Sequence, residues 1–227
     1  MVIDKKIKKK IAEEWLMRFP QLTAYSVNKL YKVVGCCVIG IELFRLPFSM
    51  DKYRPYFVIY ALWKTNLKDC LDAPYLMLEL RNKKGLQFDI PYSDSQIYLD
   101  EAVDCLKKQI PLTMNGDIPL KSLFSLIDHN LDHILYRSNS AQQAKLLELK
   151  FYISLYKGYN IHVTLEQIKK RSSTWNLQLF NYWYGDLDSW LRILEEQMTD
   201  HNNFLKQIDI NKQDKNIRKL YVSEFIV

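Results

Sequence analysis

Residues 36–63 read CCVIGIELFRLPFSMDKYRPYFVIYALW. Two runs inside this stretch, at 36–46 and 56–63, consist mainly of apolar, β-branched and aromatic residues, and two comparable runs follow at 75–82 and 86–92. Short runs of this kind, separated by Pro, Gly, Asn and Asp, are typical of β-strands joined by turns. The sequence therefore predicts a four-stranded antiparallel meander.

The last two runs also predict a register. Lys83-Lys84-Gly85 separates them, and a three-residue turn with glycine in the left-handed conformation is a common hairpin connection. The expected pairs are Asn82 with Leu86, Leu80 with Phe88 and Leu78 with Ile90 on one face, and Glu79 with Asp89 and Arg81 with Gln87 on the other. A slip of one residue would mix the two faces, so the register is self-consistent.

The second half of the chain is predicted to be helical. All seven prolines lie at or before position 119, and the 108 residues that follow contain two glycines, at 158 and 185. Proline is excluded from helix interiors, so a long proline-free segment favours helices. They are expected near 120–136, 140–157, 164–173, 176–184 and 187–207, with a further one at about 211–223.

Two helices are also expected before the meander. The first carries a buried face of apolar residues that recur every four positions, Ile3, Ile7, Ile11 and Trp15. The second is predicted from Pro20 to about Val34. After the meander, SDSQ at 93–96 has the pattern of a capping box that opens another helix.

These elements together predict an α+β fold. N-terminal helices and the four-stranded antiparallel meander precede an all-helical C-terminal half. The loop-like segment PLTMNGDIP at 111–119 separates the two parts. We expect an α+β subdomain at 1–112 and a helical subdomain at 118–227, with one continuous domain as the alternative.

Composition narrows the classes of function. Four cysteines without C-x-x-C spacing disfavour a disulfide framework or a zinc ribbon. The N-terminus MVIDKKIKKK lacks an apolar signal core, and the longest uncharged apolar run, 33–41, is too short to span a bilayer. Six glycines and no phosphate-loop motif argue against a nucleotide-dependent enzyme. We therefore expect a cytoplasmic protein without membrane insertion or cofactor.

A histidine pair is the most enzyme-like motif. In SLIDHNLDHILY, residues 125–136, His129 and His133 stand one helical turn apart, and H-x-x-D-H resembles the inverted zinc-protease pattern. On a continuous helix the pair would point away from the apolar stripe. A zinc site also needs a third ligand, which the sequence does not identify. We therefore expect a solvated helix face, with metal binding as the alternative.

The predicted pairing of Glu79 with Asp89 would place like charges opposite each other, which destabilises a sheet. Arg81 or Arg45 could neutralise the two carboxylates. A divalent cation could do so as well, as in a metal-dependent hydrolase or nuclease. The candidate catalytic residues are Glu79, Asp89 and Arg81.

A run of lysines marks the first helix as a candidate nucleic-acid contact. The formal net charge of +6 permits an anionic partner, and lysines on one helix can follow phosphates. The alternative is a helix whose lysines are simply solvated. The candidate contact residues are Lys5, Lys6, Lys8, Lys9 and Lys10.

Residues 164–197 read TLEQIKKRSSTWNLQLFNYWYGDLDSWLRILEEQ. Thr164 as a cap, Ile168 as a core position, and Tyr182-Trp183 before Gly185-Asp186 resemble the helix-turn-helix of TetR-type repressors. The resemblance implies a DNA-binding motif at 164–186 whose groove-facing part is 173–178. The segment departs from that family at Lys169, where a small residue is usual, and at Ser173, where the turn glycine is usual. It also has one residue inserted before Gly185 and lies late in the chain. The alternative is two packed helices with Trp175, Phe180, Trp183 and Trp190 in the core.

Fifteen tyrosines and five tryptophans favour a protein–protein surface, since both side chains are enriched at interfaces. The leading expectation is a non-catalytic intracellular binding protein whose partner is another protein. Nucleic-acid binding is the second expectation, and a metal-dependent hydrolase is the third.

Overall fold

A computed structural model of the chain describes residues 4–49 and 51–227. The N-terminal part contains helices and strands in the following order: α1 (Lys5–Arg18), β1 (Thr23–Ser26), β2 (Lys29–Val34), β3 (Cys37–Arg45), β4 (Lys52–Ala61), α2 (Leu67–Cys70), β5 (Leu76–Glu79), β6 (Ile90–Pro91) and α3 (Ser95–Gln109).

The C-terminal part is mostly helical. Its elements are β7 (Ile118–Pro119), α4 (Leu120–Asp132), α5 (Ile134–Arg137), α6 (Ser140–Lys157), α7 (Ile161–Ser172), α8 (Leu177–Tyr184), α9 (Leu187–Thr199), α10 (His201–Lys212), a 3-10 helix (Ile217–Lys219), β8 (Tyr221–Ser223) and β9 (Phe225–Ile226). Gly158 ends α6 in the left-handed conformation, as helix C-termini favour.

The predicted mixed α+β fold with an antiparallel sheet is confirmed. Strands β1 to β5 form a meander in which each strand pairs with the next. The longest ladder joins β3 to β4, from the pair Cys37–Ala61 to the pair Arg45–Tyr53. The first two predicted runs, 36–46 and 56–63, therefore correspond to neighbouring central strands.

The predicted helix from Pro20 to about Val34 is wrong. This segment forms the β1–β2 hairpin, in which Thr23 pairs with Tyr31. Strand β2 is buried along almost its whole length, so its apolar residues follow no alternation. A strand that is buried on both faces gives a continuous apolar run, which periodicity alone does not distinguish from a helix.

The predicted register of the last hairpin is correct only near its turn. Gly85 has a φ of 76°, and Arg81 bridges Gln87 as expected. Farther along, β6 pairs with β4 instead of β5, so Leu78 does not face Ile90. Strand β4 is ten residues long and β5 covers only its second half, which leaves an open edge that β6 occupies.

Three helix predictions in the C-terminal part need correction. The helix predicted at 120–136 breaks at His133, whose backbone is extended, and the helix predicted at 187–207 is interrupted at Asp200. Helix α7 begins at Ile161, so Thr164 is a buried residue within it and not its cap.

The last residues of the chain return to the sheet, so the C-terminal half is not all-helical and the helix predicted at 211–223 is wrong. Strand β8 runs parallel to β2, with Val33 paired to Val222, and β9 pairs with β7. Asn211 of α10 donates hydrogen bonds to the carbonyl oxygens of Leu62 and Lys64, at 2.8 and 2.7 Å.

These links join the two parts of the chain by hydrogen bonds, and a continuous set of buried apolar residues extends through both. The division at 112–118 stays a prediction. Among the described residues, no helix combines the length and the apolar character that crossing a membrane requires.

Candidate functional site

Helix α8 exposes large apolar and aromatic side chains. Tyr182 is 80% exposed and Trp183 is 68% exposed, and Leu179 lies between them on the helix. At about 100° per residue, these three side chains occupy a wedge of about 100°. We call Leu179, Tyr182 and Trp183 the α8 surface. The expectation that Trp183 lies in the core is wrong.

The opposite side of α8 is firmly anchored. The ring of Phe180 lies 5.4 Å from the rings of both Trp175 and Trp190, and Tyr184 stacks on Phe180 at 5.2 Å. Phe180 is fully buried, as predicted. An apolar cluster beneath the helix therefore fixes the orientation of α8, so the exposed aromatic residues are presented on a supported element.

Both ends of α8 are also well defined. The Asn176 side chain accepts a hydrogen bond from the backbone N–H of Gln178 at 3.0 Å, which is an N-cap interaction. Gly185 follows the helix with a φ of 76°. Asp186 then caps α9 by accepting from the N–H of Ser189 at 2.8 Å. The α8 surface thus stands on a short helix with defined boundaries.

Helices α7 and α8, joined by residues 173–176, have the order that the resemblance to a helix-turn-helix implies. Helix α8, LQLFNYWY, contains no charged residue. Two of the three basic residues at the end of α7 form ion pairs: Lys169 pairs with Glu166 and Glu195, and Arg171 pairs with Asp132, whereas Lys170 is exposed. Phosphate contacts are made chiefly by Lys and Arg, so α8 itself offers neither of these groups to a phosphate.

Glu79 lies in a network of donors and not opposite Asp89. It pairs with Tyr56 in the β4–β5 ladder. Its Oε1 accepts from Arg54 at 3.1 Å and from Tyr56 at 3.0 Å, and its Oε2 accepts from Gln87 at 3.0 Å and pairs with Arg81 at 3.1 Å. Arg54 also donates to Asp89 at 2.6 Å. Arg54 and Arg81 neutralise the carboxylates, and a divalent cation would have to displace them.

The two candidate metal-binding histidines do not share one helix. His129 lies in the last turn of α4, whereas His133 connects α4 to α5 and its Nδ1 accepts from the N–H of Leu135 at 3.3 Å. The i, i+4 geometry expected of a zinc pair is therefore lost at the helix break. Within residues 4–49 and 51–227, no group of three or more His, Cys, Asp or Glu side chains is arranged to hold a metal ion.

Three of the predicted residues line one cleft of about 650 Å³ between β5 and the α4–α6 region: Glu79, Arg81 and His133. Tyr75 and Lys145 also line it. Burial, reinforced by the nearby charge of Lys64, lowers the pKa of Lys145. Asp89 is linked to Glu79 through Arg54, which donates to both carboxylates.

The N-terminal lysines lie on the first two turns of α1. Ile11 and Trp15 form its buried face as predicted, whereas Ile7 is largely exposed and Ile3 lies outside the described residues. The lysines spread over about 200° of the helix circumference, so they do not form a single basic face. Lys8 is half-buried and the others are exposed: Lys5, Lys6, Lys9 and Lys10.

Comparisons with protein families, with curated proteins and with solved structures gave no match for this chain.

Proposed function

We propose that this chain is a non-catalytic binding protein that holds another protein through the α8 surface. The observation that carries this proposal is the exposure of Tyr182 and Trp183, side by side, on a helix whose other face is anchored in the core. Exposed aromatic side chains on a supported element are typical of interface anchors. The partner would offer an apolar groove with acceptors for the Trp183 indole N–H and the Tyr182 hydroxyl.

The size of the α8 surface supports this function. A Tyr and a Trp side chain each bury about 150–250 Å² when fully enclosed. At the observed exposures, the two rings present on the order of 300 Å² of surface. Leu179 adds to it, which brings the patch into the range of about 300–600 Å² that is often functional on monomers.

The experiment captures partners from the native cell with the full chain, tagged at the N-terminus because the C-terminal strands belong to the sheet. The tagged wild type is compared with the double variant Tyr182→Ala/Trp183→Ala. The matched control is Phe48→Ala, which removes a fully exposed aromatic side chain from the β3–β4 connection.

A protein held by the α8 surface is captured by the wild type and by Phe48→Ala but is lost with the double variant. With that protein purified, each single variant should weaken binding by about 30-fold, as expected for an interface hot spot. Equal capture by the wild type and the double variant contradicts the proposal. Sedimentation of the chain alone shows whether the partner is a second copy.

A second candidate is nucleic-acid binding by the lysines of α1, which the exposure of Lys5, Lys6, Lys9 and Lys10 favours. Affinity for DNA or RNA should then fall steeply with salt and should drop when these lysines are replaced by glutamine. Affinity that survives both changes rules this candidate out.

A further inference from the structure

A cleft of about 820 Å³ lies between α4, α6, α7 and the connection that leads to α8. This volume is in the range of small-molecule sites, about 300–1,000 Å³. We call it the basic cleft, because its charged lining residues are four cations and two carboxylates: Arg137, Lys150, Lys170, Arg171, Asp128 and Asp132.

Two of the cations that line the basic cleft are held in place by hydrogen bonds. The Arg171 guanidinium donates to Gln143 at 2.7 Å, to the carbonyl oxygen of Leu131 at 2.9 Å and to Asp132 at 2.8 Å. The Lys150 side chain is only 9% exposed, and its Nζ donates to both oxygens of Asp128, at 2.7 and 2.9 Å. Donors held in this way lose little side-chain freedom when a ligand binds.

The other two cations are available for a ligand. Arg137 and Lys170 are exposed, and within the described part of the chain neither forms an ion pair. Because Asp128 and Asp132 are already matched by Lys150 and Arg171, the basic cleft keeps an excess of two positive charges. Such an excess attracts anions and raises their local concentration.

One wall of the basic cleft is apolar. Half-buried Trp175 and the buried Leu131 and Leu147 contribute to the lining. The Trp175 ring is held in place by a hydrogen bond from its Nε1 to Gln143 at 3.2 Å. Fixed polar groups beside an aromatic surface match a ligand that joins a charged group to a ring or hydrocarbon part.

We propose that the basic cleft binds a small phosphate monoester that carries an apolar or aromatic group. A phosphate monoester has about 1.5–2 negative charges at neutral pH, which corresponds to the two unmatched cations. Arg137 and Lys170 bind the phosphate oxygens, and Arg171 lies within the same cleft. The Trp175 wall contacts the rest of the ligand. This site is separate from the α8 surface.

Titration calorimetry of the full chain tests this site, with inorganic phosphate and phenyl phosphate as probes and with sodium chloride at matched ionic strength. We expect saturable 1:1 binding, with phenyl phosphate bound more tightly than inorganic phosphate. The double variant Arg137→Ala/Lys170→Ala should weaken phenyl phosphate binding by at least about tenfold, since it removes two charge-assisted contacts. Both side chains are exposed, and far-UV circular dichroism verifies folding.

The matched control is Lys5→Ala/Lys9→Ala, which removes two exposed positive charges from α1 and should leave binding unchanged. Trp175→Phe should abolish the change in tryptophan fluorescence that phenyl phosphate causes. The proposal is overturned if no saturable binding occurs below about 10 mM. It is also overturned if both double variants weaken binding equally, because the attraction would then be one of net charge and not of this cleft.

Discussion

The carboxyl group of Glu148 lies where α6 meets α9 and the sheet. Trp190 Nε1 donates a hydrogen bond to it at 2.7 Å. Burial is the dominant effect and raises the pKa of Glu148 to about 7, even though the hydrogen bond from Trp190, the nearby Tyr75 and the charges of Lys64 and Lys145 act in the opposite direction. The folded protein therefore keeps this carboxyl protonated up to about neutral pH.

This raised pKa determines the sign of a pH effect on stability. The unfolded chain ionises the carboxyl near its ordinary pKa of 4.5, whereas the folded chain does so at about 7. Between these values the folded state binds more protons than the unfolded state, so the free energy of unfolding decreases as pH rises. A tenfold change in the ratio of folded to unfolded protein corresponds to about 1.4 kcal/mol. The free energy of unfolding that is lost through Glu148 is therefore at most about 3 kcal/mol, and the loss is complete above pH 7.

Glu148→Gln removes the ionisation but keeps an acceptor for Trp190. We expect wild type and variant to have similar stabilities at about pH 5, and the variant to be more stable by up to about 3 kcal/mol at about pH 8. Urea unfolding followed by tryptophan fluorescence measures this difference, which corresponds to a midpoint shift of about 1 M. Glu196→Gln, at an exposed position of α9, controls for the lost charge. A difference between wild type and Glu148→Gln that does not change with pH would refute the reasoning.

Four further substitutions test the fold by urea unfolding or circular dichroism. Phe180→Ala should cost about 3–5 kcal/mol because it empties the cluster beneath α8, whereas Trp183→Ala should change stability by less than about 0.5 kcal/mol; equal costs would mean that Trp183 is buried. Asn211→Ala should cost about 2–3 kcal/mol, since it leaves two backbone carbonyl oxygens without their donor, and a neutral result would contradict the link between α10 and the sheet. Gly40→Ala places a Cβ against the carbonyl oxygen of Leu30, so a variant that retains the wild-type sheet spectrum would disprove this close approach.

The central sheet was predictable because its signals are local. The runs that form β3 and β4 are long, rich in β-branched and aromatic residues, and bounded by turn residues. Gly85 likewise specifies the tight turn of the last hairpin, and its first rungs follow from the turn itself. In each case, the information lies within a few residues of the element that it determines.

The errors concern elements whose structure depends on distant partners. Strand β6 pairs with β4 because β5 leaves the edge of β4 open near Tyr53. This pairing therefore depends on the length of β5 and not on the sequence of β6. Strand β8, only three residues long, pairs with β2, which lies almost 190 residues earlier in the sequence. Contacts this far apart leave no periodic trace in either segment, since tertiary context overrides local propensity.

The predicted site residues illustrate the same distinction. Glu79 and Asp89 were placed opposite each other by extending a local register, but the structure joins them through Arg54, which lies on a strand that the register did not include. The predicted geometry of the histidine pair required an unbroken helix, but the backbone is extended at His133, where α4 ends. Neither the arginine nor the break could be derived from the motif alone.

The α8 surface could have been predicted from the number of large apolar and aromatic residues in α8. Six of the eight residues of α8 are large and apolar or aromatic, and they cover about 220° of the helix circumference: Leu177, Leu179, Phe180, Tyr182, Trp183 and Tyr184. A helix that packs against a core on one side buries only part of its circumference. Phe180 and Tyr184 stand one turn apart and take that buried side, so Tyr182 lies opposite them and Trp183 lies at their flank. The apolar and aromatic side chains therefore cover more of the circumference than one packed face buries, and the structure exposes Tyr182 and Trp183 on the remainder.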